Sequence, residues 1–228
     1  MKIWLIGLVL LVALLALYVP HLRHATFVYE DDRMLAATGS TSWPAMIAQG
    51  RGMTNESWQY VRTPRSAHAL NLVLHVLNAC LAGLLFWQIT HARGIALGIA
   101  AISALHPLTV ESVAYATSRA ELLAATGALT ARLAVSARSL WGWWGVPGGL
   151  LLAYAGKETG LVAVALIPLV LWVARHPTRL EVALWVIGGT LLVTYAIWLP
   201  QVPALIIIGW GTVSGVTWAL TQAEAVWR

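Results

Sequence analysis

The stretch "HALNLVLHVLNACLAGLLFWQIT", residues 68–90, decides how the chain is read. Its apolar run is long enough to cross a bilayer, which takes about 20 mostly apolar residues. Yet it carries His68, Asn71, His75 and Asn78 at spacings of 3, 4 and 3. At 100° per residue these four fall within an arc of about 80° on one helix face. A polar stripe on a membrane helix usually makes hydrogen bonds to neighbouring helices, and that reading suits Asn71, His75 and Asn78. His68 stands at the end of the run, where it can also meet a substrate. No third nitrogen or sulfur ligand lies close in sequence, so a zinc site is not expected there.

The rest of the chain has the same character. Of its 228 residues, 59% are hydrophobic and 10% charged, against about 25% charged in a soluble domain. Mean hydropathy is +0.75. These values point to an integral membrane protein. The basic balance, net +5, comes from scattered single residues with no basic run, so nucleic acid is not expected as a partner. The single cysteine, Cys80, excludes an intrachain disulfide and reads as packing. Arginine far outnumbers lysine, a hint of a GC-rich bacterial genome.

Apolar runs predict eight segments, at 3–19, 69–90, 93–106, 120–137, 140–156, 159–174, 181–199 and 204–222. The expected fold class is therefore all-α, a polytopic bundle of about 7–8 transmembrane helices in a single membrane domain, 1–228. The first segment lacks a small-residue cleavage site and reads as an uncleaved anchor. With Lys2 cytoplasmic, the cytoplasmic loops and ends hold Arg93, Arg132, Arg138, Arg175, Arg179 and Arg228 against two acids, Glu181 and Glu224, while seven of the nine acids fall outside. This predicts a multi-pass protein of a bacterial inner membrane with its N-terminus cytoplasmic. The first external loop, 20–68, is expected to carry two short interfacial helices. Asp31 or Asp32 would cap one that Gly39 stops. Ser42 would cap the other, whose Trp43, Met46 and Ile47 lie in the membrane surface.

Charges at membrane depth cost at least about 2.5 kcal/mol each and ask for a reason. Glu30, Asp31 and Asp32 are adjacent and repel one another. They read either as a solvated helix cap or as a general base or metal ligand, which leaves a divalent metal open. Around "LHPLTVESVAYATSRAELLAA", 105–125, a helix ends at His106-Pro107 and a short one follows with Thr109 as cap. His106, Glu111 and Arg119 then reach the external surface, where an arginine beside a helix N-terminus suits a phosphate, or a glutamate partner. Lys157-Glu158, flanked by Gly156 and Gly160, reads either as an ion pair at a tight reversal or as part of the same site. Together these residues converge on one leaflet, as an enzyme handling a lipid phosphate requires.

The order "FVYEDD", "HALNLVLHVLNACL", "LHPLTVESVAYATSRAELLAA" and "GKETG", spanning residues 27–160, resembles the GT-C superfamily of polytopic membrane glycosyltransferases. It is most similar to the branch of protein O-mannosyltransferases and transmembrane TPR-containing mannosyltransferases. The resemblance implies transfer of a sugar, with inversion, from a polyprenyl-phosphate donor to a hydroxyl acceptor on the non-cytoplasmic face. It implies Asp31 as general base, with Glu30 or Asp32 as its acidic neighbour. It further implies Arg119, Lys157 and His106 at the donor phosphate, with His68, Glu111 and Glu158 in support. Members of that branch run well beyond 228 residues, so a truncated relative without TPR repeats is expected. The partners would then be membrane lipid, the polyprenyl-phosphate sugar and a protein acceptor. The alternative is a non-catalytic GT-C-like accessory subunit packed among partner membrane subunits, for which the tryptophans offer interface anchors. A transporter fits less well, because the charges sit at the ends of segments and not at mid-span.

Overall fold

The computed structural model describes residues 3–27, 31, 52–135, 140–164 and 178–198. All regular structure among them is helical. In chain order the helices are α1 (Ile3–Arg23), α2 (Gly52–Tyr60), α3 (Pro64–Thr90), α4 (Arg93–Leu105), α5 (Val110–Ala114), α6 (Arg119–Val135), α7 (Leu140–Gly156) and α8 (Arg179–Trp198). Single 3-10 turns, Pro107–Thr109 and Ala116–Ser118, flank α5, and Glu158–Leu161 follows α7. The segments expected at 204–222 and over most of 159–174 lie outside the described residues, as do the two interfacial helices of the first loop apart from Asp31, which is helical.

Among the described residues, α3 is long and apolar enough to cross a membrane, at 27 residues and a hydropathy of 2.0. α4 passes the same test only when joined to residues 107–114 across a bend of 54°. Local chemistry sets these boundaries. Thr63 and Ser66 form a reciprocal capping box at the head of α3, with Pro64 in its first turn. α3 stops at His91, a non-glycine residue in the left-handed region at φ 54°. Thr178 and Glu181 exchange the same kind of bonds at the head of α8, the Thr178 N–H donating to Oε2 at 2.7 Å.

Thr109 takes the N-cap position of α5 as expected, but its side chain makes no capping bond and its hydroxyl donates back to the His106 carbonyl at 2.7 Å.

Packing joins α1 to α3 and α4, α3 to α4 and α6, α6 to α7, and α7 to α8. The tightest contact is α6 on α7, where small residues let the backbones touch. A Cβ built on Gly127 would lie 2.2 Å from the Ala153 nitrogen, and one on Gly149 would lie 2.6 Å from that of Ala131. Around this seam Val135, Val146, Leu150 and Tyr154 form an apolar cluster that Trp185 of α8 covers. A second cluster, Leu14, Tyr18, Ala79, Ala104 and Val113, holds α1 against α3 and α4. There the last turn of α4 presents the Ala104 carbonyl, which accepts from Tyr18 at 3.4 Å and faces His75 Nε2 at 3.0 Å.

Candidate functional site

Long-range side-chain bonds gather the same ends of α1, α2, α3, α6 and α7. α3 supplies the scaffold. Asn71, fully buried, donates from Nδ2 to the carbonyls of Ser112, Tyr115 and Ala116 at 3.1, 3.0 and 3.3 Å. These carbonyls belong to α5 and the turn after it, where the Tyr115 oxygen also accepts from the Ser118 N–H and the Ala116 oxygen from the Arg119 N–H. One turn earlier, His68 sets Nδ1 2.8 Å from the Val113 oxygen and Nε2 3.2 Å from that of Thr26. It therefore ties the exit of α1 to α5. Asn78, further down, donates to the Leu122 carbonyl at 2.9 Å and accepts from Thr126 at 2.8 Å. The stripe on α3 acts as interhelical bonding at every position.

Arg119, the first residue of α6, stands just ahead of the apolar stretch and is fully buried. Its Nε donates to Asn71 Oδ1 at 3.2 Å and its Nη1 to Ser57 Oγ at 2.7 Å. The Ser57 proton is committed to the Thr54 carbonyl at 2.5 Å, so its lone pairs face the guanidinium. The guanidinium lies over the Trp58 ring, 4.7 Å from the centroid. Burial lowers the Arg119 pKa to about 10, opposed by the charge of Asp31, and the group remains a cation at neutral pH. Arg119 Nη2 and Trp58 Nε1 are both buried without a hydrogen-bond partner.

Asp31, also fully buried, is held from the opposite side. Its Oδ1 accepts from the Thr117 N–H at 2.9 Å and from the Thr117 hydroxyl at 2.7 Å. Thr117 is two residues before Arg119, so the head of α6 grips the first loop at Asp31 and again, through Arg119, at Ser57. Phe27 packs on Trp58 with ring centroids 6.1 Å apart, and Val61, Ala67 and Ala116 close the apolar side.

The remaining expected residues fall elsewhere. Lys157 pairs with Glu121 on a more exposed rim next to the site. The Thr54 hydroxyl donates to the Gly156 carbonyl at 2.7 Å and docks α2 against that rim. His106 is exposed and caps its own turn, its Nδ1 accepting from the Leu108 N–H at 3.2 Å. Glu111 is exposed on α5. Glu30 and Asp32 lie outside the described residues, as does the side chain of Glu158. Among the described residues no group of three or more His, Cys, Asp or Glu could hold a metal. A mostly apolar groove of about 310 Å³ begins at Thr159 and Gly160 and follows Ala124, Ala128 and Arg132 along α6, with Leu85 across from them.

Ser57, Trp58 and Thr117 were not singled out as site residues by sequence. The one signal was Thr54 and Trp58 at i and i+4, the buried face of α2.

No family model matches the chain, nor does any curated protein or solved structure.

Proposed function

We propose that the chain is a GT-C-type glycosyltransferase module, multi-pass in a bacterial inner membrane, moving a sugar from a polyprenyl phosphate to a hydroxyl on the non-cytoplasmic face. The observation that carries this reading is the double hydrogen bond from Thr117 to Asp31. It brings the acid of the first loop to the head of α6, where its charge acts on Arg119. In the reaction the Asp31 carboxylate takes the proton of the acceptor hydroxyl as that oxygen bonds to the anomeric carbon. The bond from this carbon to the phosphate oxygen breaks on the opposite face, and the phosphate leaves with the electron pair. A general base of this kind typically contributes about 10²–10⁴-fold. Arg119 supplies the cation for the leaving group. The groove from Thr159 along α6 offers an apolar bed for a prenyl chain whose phosphate stays near Lys157. The resemblance across residues 27–160 and the length and hydropathy of α3 support the membrane-spanning reading.

The direct test is transfer of radiolabelled sugar from a polyprenyl-phosphate sugar in membranes holding the chain. Asp31→Asn should abolish transfer while protein abundance is unchanged, and undiminished transfer in that variant would remove the assignment. Orientation is checked with Tyr60→Cys in a Cys80→Ser background, since Tyr60 is 77% exposed on α2. It should react with a membrane-impermeant maleimide in cells whose outer membrane is permeabilised and whose inner membrane is intact. Labelling only after inner-membrane lysis would invert the topology.

A second reading, the accessory subunit, is favoured by one specific feature. Lys157 is closed on Glu121, and Arg119 bonds to protein at two of its three nitrogens. In that reading the charges are structural, and purified protein binds no polyprenyl phosphate.

A further inference from the structure

The cluster holds a contradiction that points to a second state. Arg119 Nη2 and Trp58 Nε1 are adjoining donors, both buried and both without an acceptor. A buried donor left unpaired is costly, and more so when it is charged. One of them belongs to α2, and the other is covered by the Ser57 and Trp58 side chains of that helix. That helix has nine residues and a polar sequence, and buries only Gly52, Thr54 and Trp58. It is held down by Ser57 on Arg119 and by Thr54 on the Gly156 carbonyl.

We propose that α2 is a latch over a latent oxyanion site. A phosphate-bearing ligand takes the place of Ser57 on Arg119 Nη1 and fills Nη2 while α2 lifts. The exchange is favourable because a neutral hydroxyl acceptor is traded for an anion and an unpaired cationic N–H is satisfied in the same step. Asn71 keeps Nε in both states, so the guanidinium pivots without losing its anchor on α3. The anion follows from the transferase reading, but the latch is tested separately from catalysis.

The test uses the full chain in nanodiscs with Cys80→Ser and Thr54→Cys, since residue 54 is 1% exposed on the inward face of α2 and its change leaves Ser57 on Arg119 as the bond the anion must replace. The rate of maleimide modification at position 54 reports lifting. Geranyl phosphate should raise that rate at least about fivefold over geraniol, a preference worth about one kcal/mol. A parallel arm with inorganic phosphate tells a free phosphate from a lipid-borne one, and acceleration by either supports the site. Arg119→Gln should remove the effect. Ser57→Ala should label about tenfold faster with no anion present, the loss of one charge-assisted bond. Rates indifferent to both phosphates, or raised equally in Arg119→Gln or by geraniol, would overturn the latch. Phosphate-dependent labelling without Asp31-dependent transfer would leave the latch standing and remove the transferase. Asp31-dependent transfer with a constant labelling rate would do the reverse.

Discussion

Helix α6 faces two neighbours in opposite ways. Against α7 it presents Gly127 and Ala131, and the backbones meet with no side chain between them. Against α3 it presents Arg119 and Thr126, and contact is made through side-chain hydrogen bonds. The first interface brings backbone against backbone at Gly127 and Gly149 and admits one separation only. The second fixes register, and the buried Arg119 with its unfilled Nη2 lies there. In a bilayer, where apolar surfaces gain little by meeting each other, close packing and polar bonds are the two available means of holding helices together. Here they are divided between the two sides of one helix, and the candidate chemistry lies on the polar side.

The largest expected effect breaks the close-packed side. Gly127→Leu places its Cβ 2.2 Å from the Ala153 nitrogen and 2.5 Å from the Gly149 oxygen, both backbone atoms that cannot yield alone. The variant should lose about 3 kcal/mol or more, read as loss of monodisperse protein in detergent or a collapse in Tm. Gly148→Ala is its control. A Cβ there meets nothing within 4 Å, so stability should hold or rise by up to about 1 kcal/mol.

The polar side should give way next. Asn71→Leu removes the amide that the carbonyls of Ser112, Tyr115 and Ala116 share, together with the partner of Arg119 Nε. A loss of about 2–4 kcal/mol in thermal unfolding is expected. Thr126→Val, which deletes one bond to Asn78, should cost only about 0.6–1.7 kcal/mol. If it costs as much as Asn71→Leu, the bonds at the head of α6 are not special.

The smallest effects sharpen the comparison. Trp58→Phe keeps a ring under the guanidinium and deletes a donor that has no partner, so Tm should stay level or rise slightly. A marked fall would mean that Nε1 has an acceptor after all. Lys157→Met breaks an ion pair whose glutamate is half exposed, and should change stability by less than about 1 kcal/mol.

What could be read from the sequence was local, and what could not depended on long-range bonds. The segment at 140–156 coincides with α7, and those at 93–106, 120–137 and 181–199 match α4, α6 and α8 within two residues. Apolar run length is a local property and carries this information directly. The stripe of Asn71, His75 and Asn78 was legible for the same reason, since its period lies within one helix. The segment at 3–19 fell short of α1, which runs through Pro20 to Arg23, because the apolar run ends at the proline while the helix does not. α2 was not foreseen. "GMTNESWQY" shows no apolar period, and the groups that hold it, Gly156 and Arg119, lie more than 60 residues away. Convergence of Asp31 and Arg119 on one end could be argued from charge placement. The grip of Thr117 on Asp31 could not, because a threonine in a turn carries no signal of an acceptor 86 residues earlier.

The short helix α4 bears on how deep the site lies. Thirteen residues span about 20 Å, whereas the hydrocarbon layer is about 30 Å thick. The Ala104 carbonyl near its end does not need water, because Tyr18 and His75 serve it from neighbouring helices. In the membrane-spanning reading, α4 can therefore stop short of the surface, and the bent turn through Pro107 to α5 continues from it. Asp31 and Arg119, tied to that turn through Thr117 and Asn71, are fully buried there. In the transferase reading, an acceptor hydroxyl therefore reaches Asp31 only in a state that uncovers it.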